Sequence, residues 1–492
     1  MQIAVTRKDI KFRPDASRVI ARFLYAGDER ALSTIRSVLE MSKNEAAVAI
    51  NPVLRDFSLR HRNISKIFER HFNRISHLFK RLDLDSESLN TAQKLLVGSY
   101  FTMEYSIESA AFFNPSIVEH PDQSETGPDE KRVIFSFRAT GEGHISSIVF
   151  RTGVLDKYNN LIIEPVGKML EEAEHINRHI YDKESFKDLL AEMKDVHGII
   201  PPGLILDRLD DKFSYEELKI CIEEARKSLH LAADKEILFN QINWLASSHY
   251  ELDFSLDTNI SERVIFPVSA NEKNGIEDAR FVKFTNDKNE VTYYATYTAY
   301  DGVSILPKML DTKDFYHFRV LPLHGEIAQN KGMALFPRKV NGKYAMLCRL
   351  DGFNNYIAFS DNVNIWREAQ LLQQPKFPWE LIQIGNCGSP IETPEGWLVI
   401  THGVGPMREY VLGASLFDLQ RPEKEIGRLK SPLLMPNAEE REGYVPNVVY
   451  SCGSTIHNDD LIIPYAMSDY ASTYATVNLR ELLNELKNSK LQ

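Results

Sequence analysis

Four stretches of this chain end a strand-like run in the same way, at a nearly regular interval. YYATYTAYDG closes near Asp301, KYAMLCRLDG near Asp351, GWLVITHGVG near Gly403 and LIIPYAMSDY near Asp469. Each run is rich in β-branched, aromatic and aliphatic residues and stops at glycine or aspartate, as a strand does when it meets a turn. The interval is about 50 residues, then similar, then somewhat longer. One four-stranded antiparallel sheet with its turns occupies that length, which is the size of a propeller blade. VIFSFRATGEG, near Arg138, reads as an earlier unit of the same kind. Five units predict a mainly β chain folded as a five-bladed β-propeller. A β-sandwich with similar turns is the architecture that periodicity leaves open beside it.

Helical patterns interrupt this rhythm twice. From about Asp28 to Leu96 apolar residues recur three and four apart, as in ALSTIRSVLEMS and NISKIFERHFNRISHLFKRL. In the second of these, Ile64, Ile67, Phe68, Phe72, Ile75 and Leu78 form one stripe, with Lys66, Arg70, Asn73 and Arg74 largely on the other side. Such a helix packs on a neighbour; a membrane-surface helix is the alternative. A second helical stretch runs from about Lys168 to Leu245. The expected organisation is a mostly helical N-terminal region (1–98), a propeller catalytic domain (99–484) carrying a helical insertion (about 168–245), and a C-terminal tail (485–492). Both helical segments are expected to pack together against one side of the propeller.

Composition narrows the function. The chain has 492 residues and is 43% hydrophobic, ample for a core, and its formal net charge is −11. That charge argues against a general nucleic-acid binder, because a phosphate backbone requires a basic face. A local basic pocket for an anionic substrate remains compatible with it. Four widely spaced cysteines, without a CxxC or zinc pattern, suit reduced thiols, and a cytoplasmic location is expected. The first residues, MQIAVTRKDIKFRPDASRVIARF, have no continuous apolar segment of the secretory kind. No run of about 18 apolar residues occurs, so no membrane-spanning helix is expected.

The strand ends carry unusual chemistry. Arg138, Tyr297, Arg349, His402 and Asp469 occupy matching positions in separate units. In a propeller, equivalent strands run along the central channel, so these residues would share one pocket. Ahead of the second unit, NGIEDARFVKF sets Glu277, Asp278 and Arg280 side by side. Asp278 beside Arg280 reads either as an ordinary ion pair or as a carboxyl group that protonates a departing substrate oxygen. Glu277 is the alternative acid or a hydroxyl-binding group. Arg138, Lys331, Arg349 and His402, far apart in sequence, could together cradle a phosphate, arginine forks matching its oxygens. No glycine-rich nucleotide loop is present, so ATP or a dinucleotide is not favoured. Abundant aromatics near these motifs, Tyr297 and Tyr410 among them, are strand core by default, and a few exposed ones would suit sugar stacking.

At the level of these motifs the chain resembles glycoside hydrolase family 130, the β-mannoside phosphorylases and related β-1,2-mannosidases. The matching segments are FFNPSIV, FSFRA, GIEDARF, YYATYTAYDG, NKGMALFPRKVNGKYAMLCR, IGNCGSPIETPEGWLVITHGVG, YVLGASLFDL and GYVPNVVYSCG, spread from about Tyr100 to Leu483. The N-terminal helices and the insertion look like a longer branch of the family. The resemblance implies a five-bladed propeller with a central active site and cleavage of a β-mannoside with inversion. It implies that Asp278 is the general acid, its proton reaching the leaving oxygen through a mannose hydroxyl. It carries phosphate binding to Arg349 and His402 with Tyr410 as helper, and matches Arg138, Arg280 and Lys331 to substrate- or phosphate-binding positions. Asn114, Glu277, Tyr297, Asp301 and Asp469 are the sugar-binding candidates. Ala279 stands where many members have proline, Cys348 where many phosphorylases have histidine, and LDGFNN after Arg349 departs from the usual pattern.

Three functions follow. A phosphorylase needs the acid and a cationic seat, because phosphate is already a nucleophile; its product would be mannose 1-phosphate. An inverting hydrolase needs a base that activates water on the opposite face, for which Glu326 and Glu392 are the candidates. A non-catalytic glycan-binding propeller is the third. The expected substrate is a β-manno-oligosaccharide, preferably β-1,2-linked, with β-1,4 kept open. Inorganic phosphate is co-substrate if the enzyme is a phosphorylase, and neither a metal nor another cofactor is expected. A homo-oligomer, with the added helices as its interface, stands beside the reading that they shape the cleft.

Overall fold

In the computed structural model of the chain, the described residues are 3–176, 180–191, 203–228, 249–269, 272–300, 302 and 305–489, with 239, 242, 243, 245 and 246 between them. The fold is mainly β with helical segments. Its larger sheets number five among the described residues, each with at least four strands. The first runs Ala111–Glu119, Lys131–Thr140, Ser146–Leu155 and Arg263–Ile265, and the second Ile276–Thr285, Val291–Tyr300, Ile305–Thr312 and His317–Pro322. The third is Ala334–Leu335, Tyr344–Cys348, Asn355–Ser360 and Ala369–Gln373, and the fourth Gln383–Asn386, Gly396–Val404, Tyr410–Phe417 and Glu425–Arg428. The fifth joins Val449–Tyr450, Asp460–Met467 and Ala471–Asn478 to Val5–Arg7.

Apolar side chains weld each sheet to the next. Phe150 of the first meets Phe281 and Phe318 of the second. Met309 of the second shares a cluster with Leu335 and Met346 of the third. Leu347 packs with Trp397 and Val399, Leu398 and Ile400 with Leu461 and Ile463, and Ile462 and Tyr474 of the fifth with Phe135 and Phe137 of the first. Strands such as Asp460–Met467 therefore bury both faces, which is why LIIPYAM reads as a continuous apolar run rather than an alternating one.

The termini differ from expectation. Val5–Arg7, within the stretch read as an N-terminal helical region, is the outer strand of the fifth sheet, paired with Ala475–Val477. The closing helix, Leu479–Asn488, runs past the boundary placed at 484 and buries Leu482, Leu483 and Leu486. Between these ends, the helices Asp28–Leu39, Lys43–Phe57, Ile64–Ile75 and Thr91–Tyr100 have a core of their own that includes Ile35, Phe68, Phe72 and Val97. The stripe of Ile64–Ile75 faces that core, as the packed-helix reading requires. The insertion builds a separate core from Tyr181, Phe186, Phe213, Leu218 and Ile222. The two helical segments were expected to pack together; among the described residues they form distinct clusters, because each has enough apolar surface to bury its own stripe. The insertion is tied to the sheets by Glu171–Glu172, which extends the first, and Glu174–Ile176, which extends the second through Tyr250–Asp253.

Gly98 sets the spacing of two N-terminal helices. A Cβ there would lie 1.9 Å from the Phe68 carbonyl oxygen on the facing helix. Alanine gains about 1 kcal/mol of helix propensity, but overpacking against rigid backbone costs roughly 1–3 kcal/mol. Gly98→Ala is expected to lower the unfolding midpoint in urea, whereas an unchanged or higher midpoint would show that the helices can separate.

Candidate active site

Two strands that begin neighbouring sheets break register at the same place. In Ala111–Glu119 the pairing slips between Phe113 and Ser116, and in Ile276–Thr285 between Glu277 and Arg280. The residues inside the slips, Asn114 and Asp278, hold left-handed backbone with φ of 50° and 55°. Asn and Asp are the side chains that tolerate this region best. A bulge turns its side chain out of the strand's alternation, and here both turn toward each other: Asn114 Nδ2 donates to Asp278 Oδ1 at 2.6 Å.

Around this pair lies a cavity of about 190 Å³, lined by Asn114, Arg138, Asp278, Lys331, Arg349, Gln383, His402, Arg408, Tyr410, Tyr450 and Asp469, with Val445 and Val448. Every one of the five sheets, or a loop leading into it, contributes. The two neighbouring acids have different tasks. Glu277 accepts from Arg138 Nη2 at 2.7 Å and from Lys331 Nζ, and so clamps two cations. Asp278 faces the cavity, with Arg138 Nη1 at 3.6 Å. Burial pushes its pKa up, but Arg138, Lys331, Arg280 and the Asn114 hydrogen bond outweigh that, and the net shift is downward. Asp469 behaves oppositely: burial, and then the charge of Asp278, raise it to about 6.

His402 is buried, and burial followed by the nearby Arg349 and Arg280 charges drives its pKa well down, so the imidazole is neutral. It lies over Gly385, directly across the strand pair; a Cβ at Gly385 would come within 2.5 Å of the ring. Gln383 stands between His402 Nε2 and Arg349, its amide oxygen toward both and its nitrogen toward the Gly352 carbonyl. The Tyr410 ring stacks beside His402 at 6.0 Å. Arg349 Nε and Arg138 Nε are buried without a protein acceptor. Unpaired buried donors are costly unless something outside the protein accepts from them. Among the described residues no group of three or more His, Cys, Asp or Glu side chains is placed to hold a metal ion.

Several expected site residues sit elsewhere. Arg280 makes no ion pair with Asp278 and lines, with Asp278 and Tyr297, a smaller second cavity of about 10 Å³; its guanidinium donates to Asn386 O and Oδ1 (3.0 and 2.6 Å) and to the Tyr450 hydroxyl (2.6 Å), tying the second sheet to the fourth and fifth. Tyr297 is buried with its hydroxyl given to Glu272 at 2.8 Å, and it lines the smaller cavity rather than this one. Glu326 is exposed outside the cavity. Glu392 is held by a two-point pair with Arg338, at 2.8 and 2.6 Å, likewise outside. Asp301 lies outside the described residues. Gln383, Arg408 and Tyr450 were not anticipated. Tyr450 stands in GYVPNVVYSCG and was open to notice; Gln383 and Arg408 carry no chemical signature until the strands that flank them are paired.

Comparison with known proteins gives four findings. Residues 251–488 match the glycoside hydrolase family 130 model, described as beta-1,4-mannooligosaccharide phosphorylase. The chain is 34% identical over 229 residues to a 1,2-beta-oligomannan phosphorylase of Thermoanaerobacter sp. (strain X514), covering 44% of this chain and 74% of that one. It is 30% identical over 243 residues to a beta-1,2-mannobiose phosphorylase of Listeria innocua, covering 48% of this chain and 65% of that one. Among solved structures, a beta-1,2-mannobiose phosphorylase from Listeria innocua in complex with beta-1,2-mannobiose superposes with a TM-score of 0.46 at 21% identity, over 78% of this chain and 93% of the other.

Proposed function

Because the chain belongs to glycoside hydrolase family 130, we propose that it cleaves β-mannosides by phosphorolysis, with inversion, releasing mannose 1-phosphate. The observation that carries this reading is the pairing of Asp278 with a cationic wall in which the Arg138 and Arg349 Nε donors have no acceptor among the described residues. In the proposed reaction phosphate sits against Arg349, His402 and Tyr410 and attacks the anomeric carbon. The guanidinium supplies charge and a fork of donors, and the neutral imidazole supplies one hydrogen bond. Asp278 protonates the leaving oxygen, and Asn114 holds the carboxyl in place. Phosphate needs no base. Water would need one; the expected candidates Glu326 and Glu392 lie outside the cavity, which leaves Asp469 as the second carboxyl lining it. Likeness to a 1,2-beta-oligomannan phosphorylase and a beta-1,2-mannobiose phosphorylase favours a β-1,2-mannoside as substrate.

The five sheets are read here as the five blades of a propeller. Two features support this: each sheet shares an apolar cluster with the next and the fifth with the first, and the segments opening all five sheets reach one cavity. Val5–Arg7 then closes the ring by joining the last sheet.

Incubating the protein with β-1,2-mannobiose and phosphate should give mannose 1-phosphate and mannose in equal amounts, and omitting phosphate should stop the reaction. Free mannose at the same rate with and without phosphate would overturn phosphorolysis.

A further inference from the structure

The four cations lining the cavity are not equally engaged. Arg138 is paired with Glu277 and faces Asp278, and Lys331 is paired with Glu277. Arg349 reaches Gln383. Arg408 lines the same cavity from an exposed position; among the described residues its guanidinium makes no hydrogen bond or ion pair, and its charge acts on Asp469 only at longer range. The acid next to it in sequence is already taken: Glu409 accepts from Arg441 at 2.6 Å.

The backbone holds Arg408 there at a cost. The loop joining Gly396–Val404 to Tyr410–Phe417 makes one tight turn, Pro406–Arg408. Both Met407 and Arg408 are left-handed, with φ of 58° and 56°, where neither is a residue that favours it. Met407 is thrown out into solvent, 89% exposed, while Arg408 is kept at the cavity mouth. This loop is the tip of the hairpin whose two strands carry His402 and Tyr410, with Val404 paired to Tyr410 directly beneath it. A guanidinium at that position can present its donor fork to an anion entering the cavity.

We propose that Arg408 is a second guanidinium of the phosphate seat, binding phosphate oxygens from the mouth of the cavity while Arg349, His402 and Tyr410 bind from its wall. This rests on the phosphorolysis reading. The same arm would hold the phosphoryl group of mannose 1-phosphate in the synthetic direction, so one residue governs phosphate entry and release. No residue of the sugar site is required to change.

Arg408→Gln tests it in the full-length protein. Initial rates are measured against phosphate at fixed β-1,2-mannobiose, against β-1,2-mannobiose at fixed phosphate, and against mannose 1-phosphate in the reverse reaction. The KM for phosphate should rise roughly ten- to a hundredfold, the range of a hydrogen bond to a charged group. The KM for mannose 1-phosphate should rise in parallel, and that for the mannoside should change less than about twofold, since uniform binding of one ligand is what is lost. Arg408→Lys, which keeps the charge and loses the fork, should fall between. Unaltered phosphate KM in Arg408→Gln, or a rise confined to the mannoside, overturns the assignment while leaving phosphorolysis intact. A wild-type protein that forms no mannose 1-phosphate overturns both.

Discussion

Asp278→Asn is expected to lower turnover by about 10² to 10⁴ and to leave the unfolding midpoint near that of the wild type. The rate loss is what a positioned general acid contributes, and an alkoxide-like leaving group places it toward the upper end. The structural side is mild for a specific reason. Asparagine has the size of aspartate and can still meet Asn114, and Arg138 retains Glu277 when the Asp278 charge is gone. Glu277→Gln supplies the contrast. It loosens the clamp on both Arg138 and Lys331, so its effect should fall on stability and substrate KM as well as on turnover. An Asp278→Asn enzyme with near wild-type turnover would remove Asp278 from the acid role.

The same carboxyl sets the pH dependence. Its cationic neighbours hold the pKa below the usual carboxylate range, so the protonated form falls away as pH rises through and above that value. The groups facing it are Arg138, Lys331, Arg280, Asn114 and, from the fifth sheet, Asp469. A bound phosphate dianion offsets the cations and favours the proton. Since kcat/KM reports the free enzyme and kcat the complex, kcat/KM should decline with rising pH before kcat does. Superimposed profiles would show that phosphate does not reach the field around Asp278.

Glu272→Ala is expected to cost about 3–5 kcal/mol, the effect of stripping one partner from a buried ion pair. Glu272 has no exposed surface, and its oxygens accept from Lys308 Nζ (2.9 Å), Tyr297 (2.8 Å), Tyr250 (3.0 Å) and the amides of Val268 and Ser269 (3.1 and 3.0 Å). Without it the fully buried Lys308 ammonium keeps only the Ser269 hydroxyl at 2.8 Å, and two phenols and two backbone N–H groups lose an acceptor. Its carbonyl also receives the Gly275 N–H at 2.7 Å, at the head of the segment that leads to Asp278. Burial raises the Glu272 pKa, but Lys308 and the surrounding hydrogen bonds bring it down to about 2. A depressed carboxylate stabilises the fold fully above its ordinary value of 4.5, and that share is lost as pH falls toward about 2. Urea unfolding at neutral pH measures the loss, with Glu272→Gln, which keeps an acceptor oxygen, as the milder variant. A Glu272→Ala midpoint equal to that of the wild type would mean that the Ser269 hydroxyl suffices for Lys308 or that the ammonium gives up its proton.

What the sequence determined by itself is the repeating unit and the chemistry at its strand ends. Strand runs such as YYATYTAY and LIIPYAM encode β structure locally through branched and aromatic side chains, and their spacing sets the length of a sheet. The stripe Ile64–Phe68–Phe72–Ile75 encodes an amphipathic helix in the same local way, and the structure buries it. Which polar residues converge is a different kind of fact. Arg280 and Asp278 are two apart in the chain, yet a two-residue bulge turns one toward Asn386 and Tyr450 and the other toward Asn114. Tyr297 sits at the expected strand end and still points into the Glu272 network, because side-chain direction depends on register and on the next sheet's packing. Gln383 and Arg408 became visible only once strand pairing placed them beside His402 and above Tyr410. A bulge, a register and the closure of one sheet against another are set by contacts between residues hundreds of positions apart, and only the tertiary structure decides them.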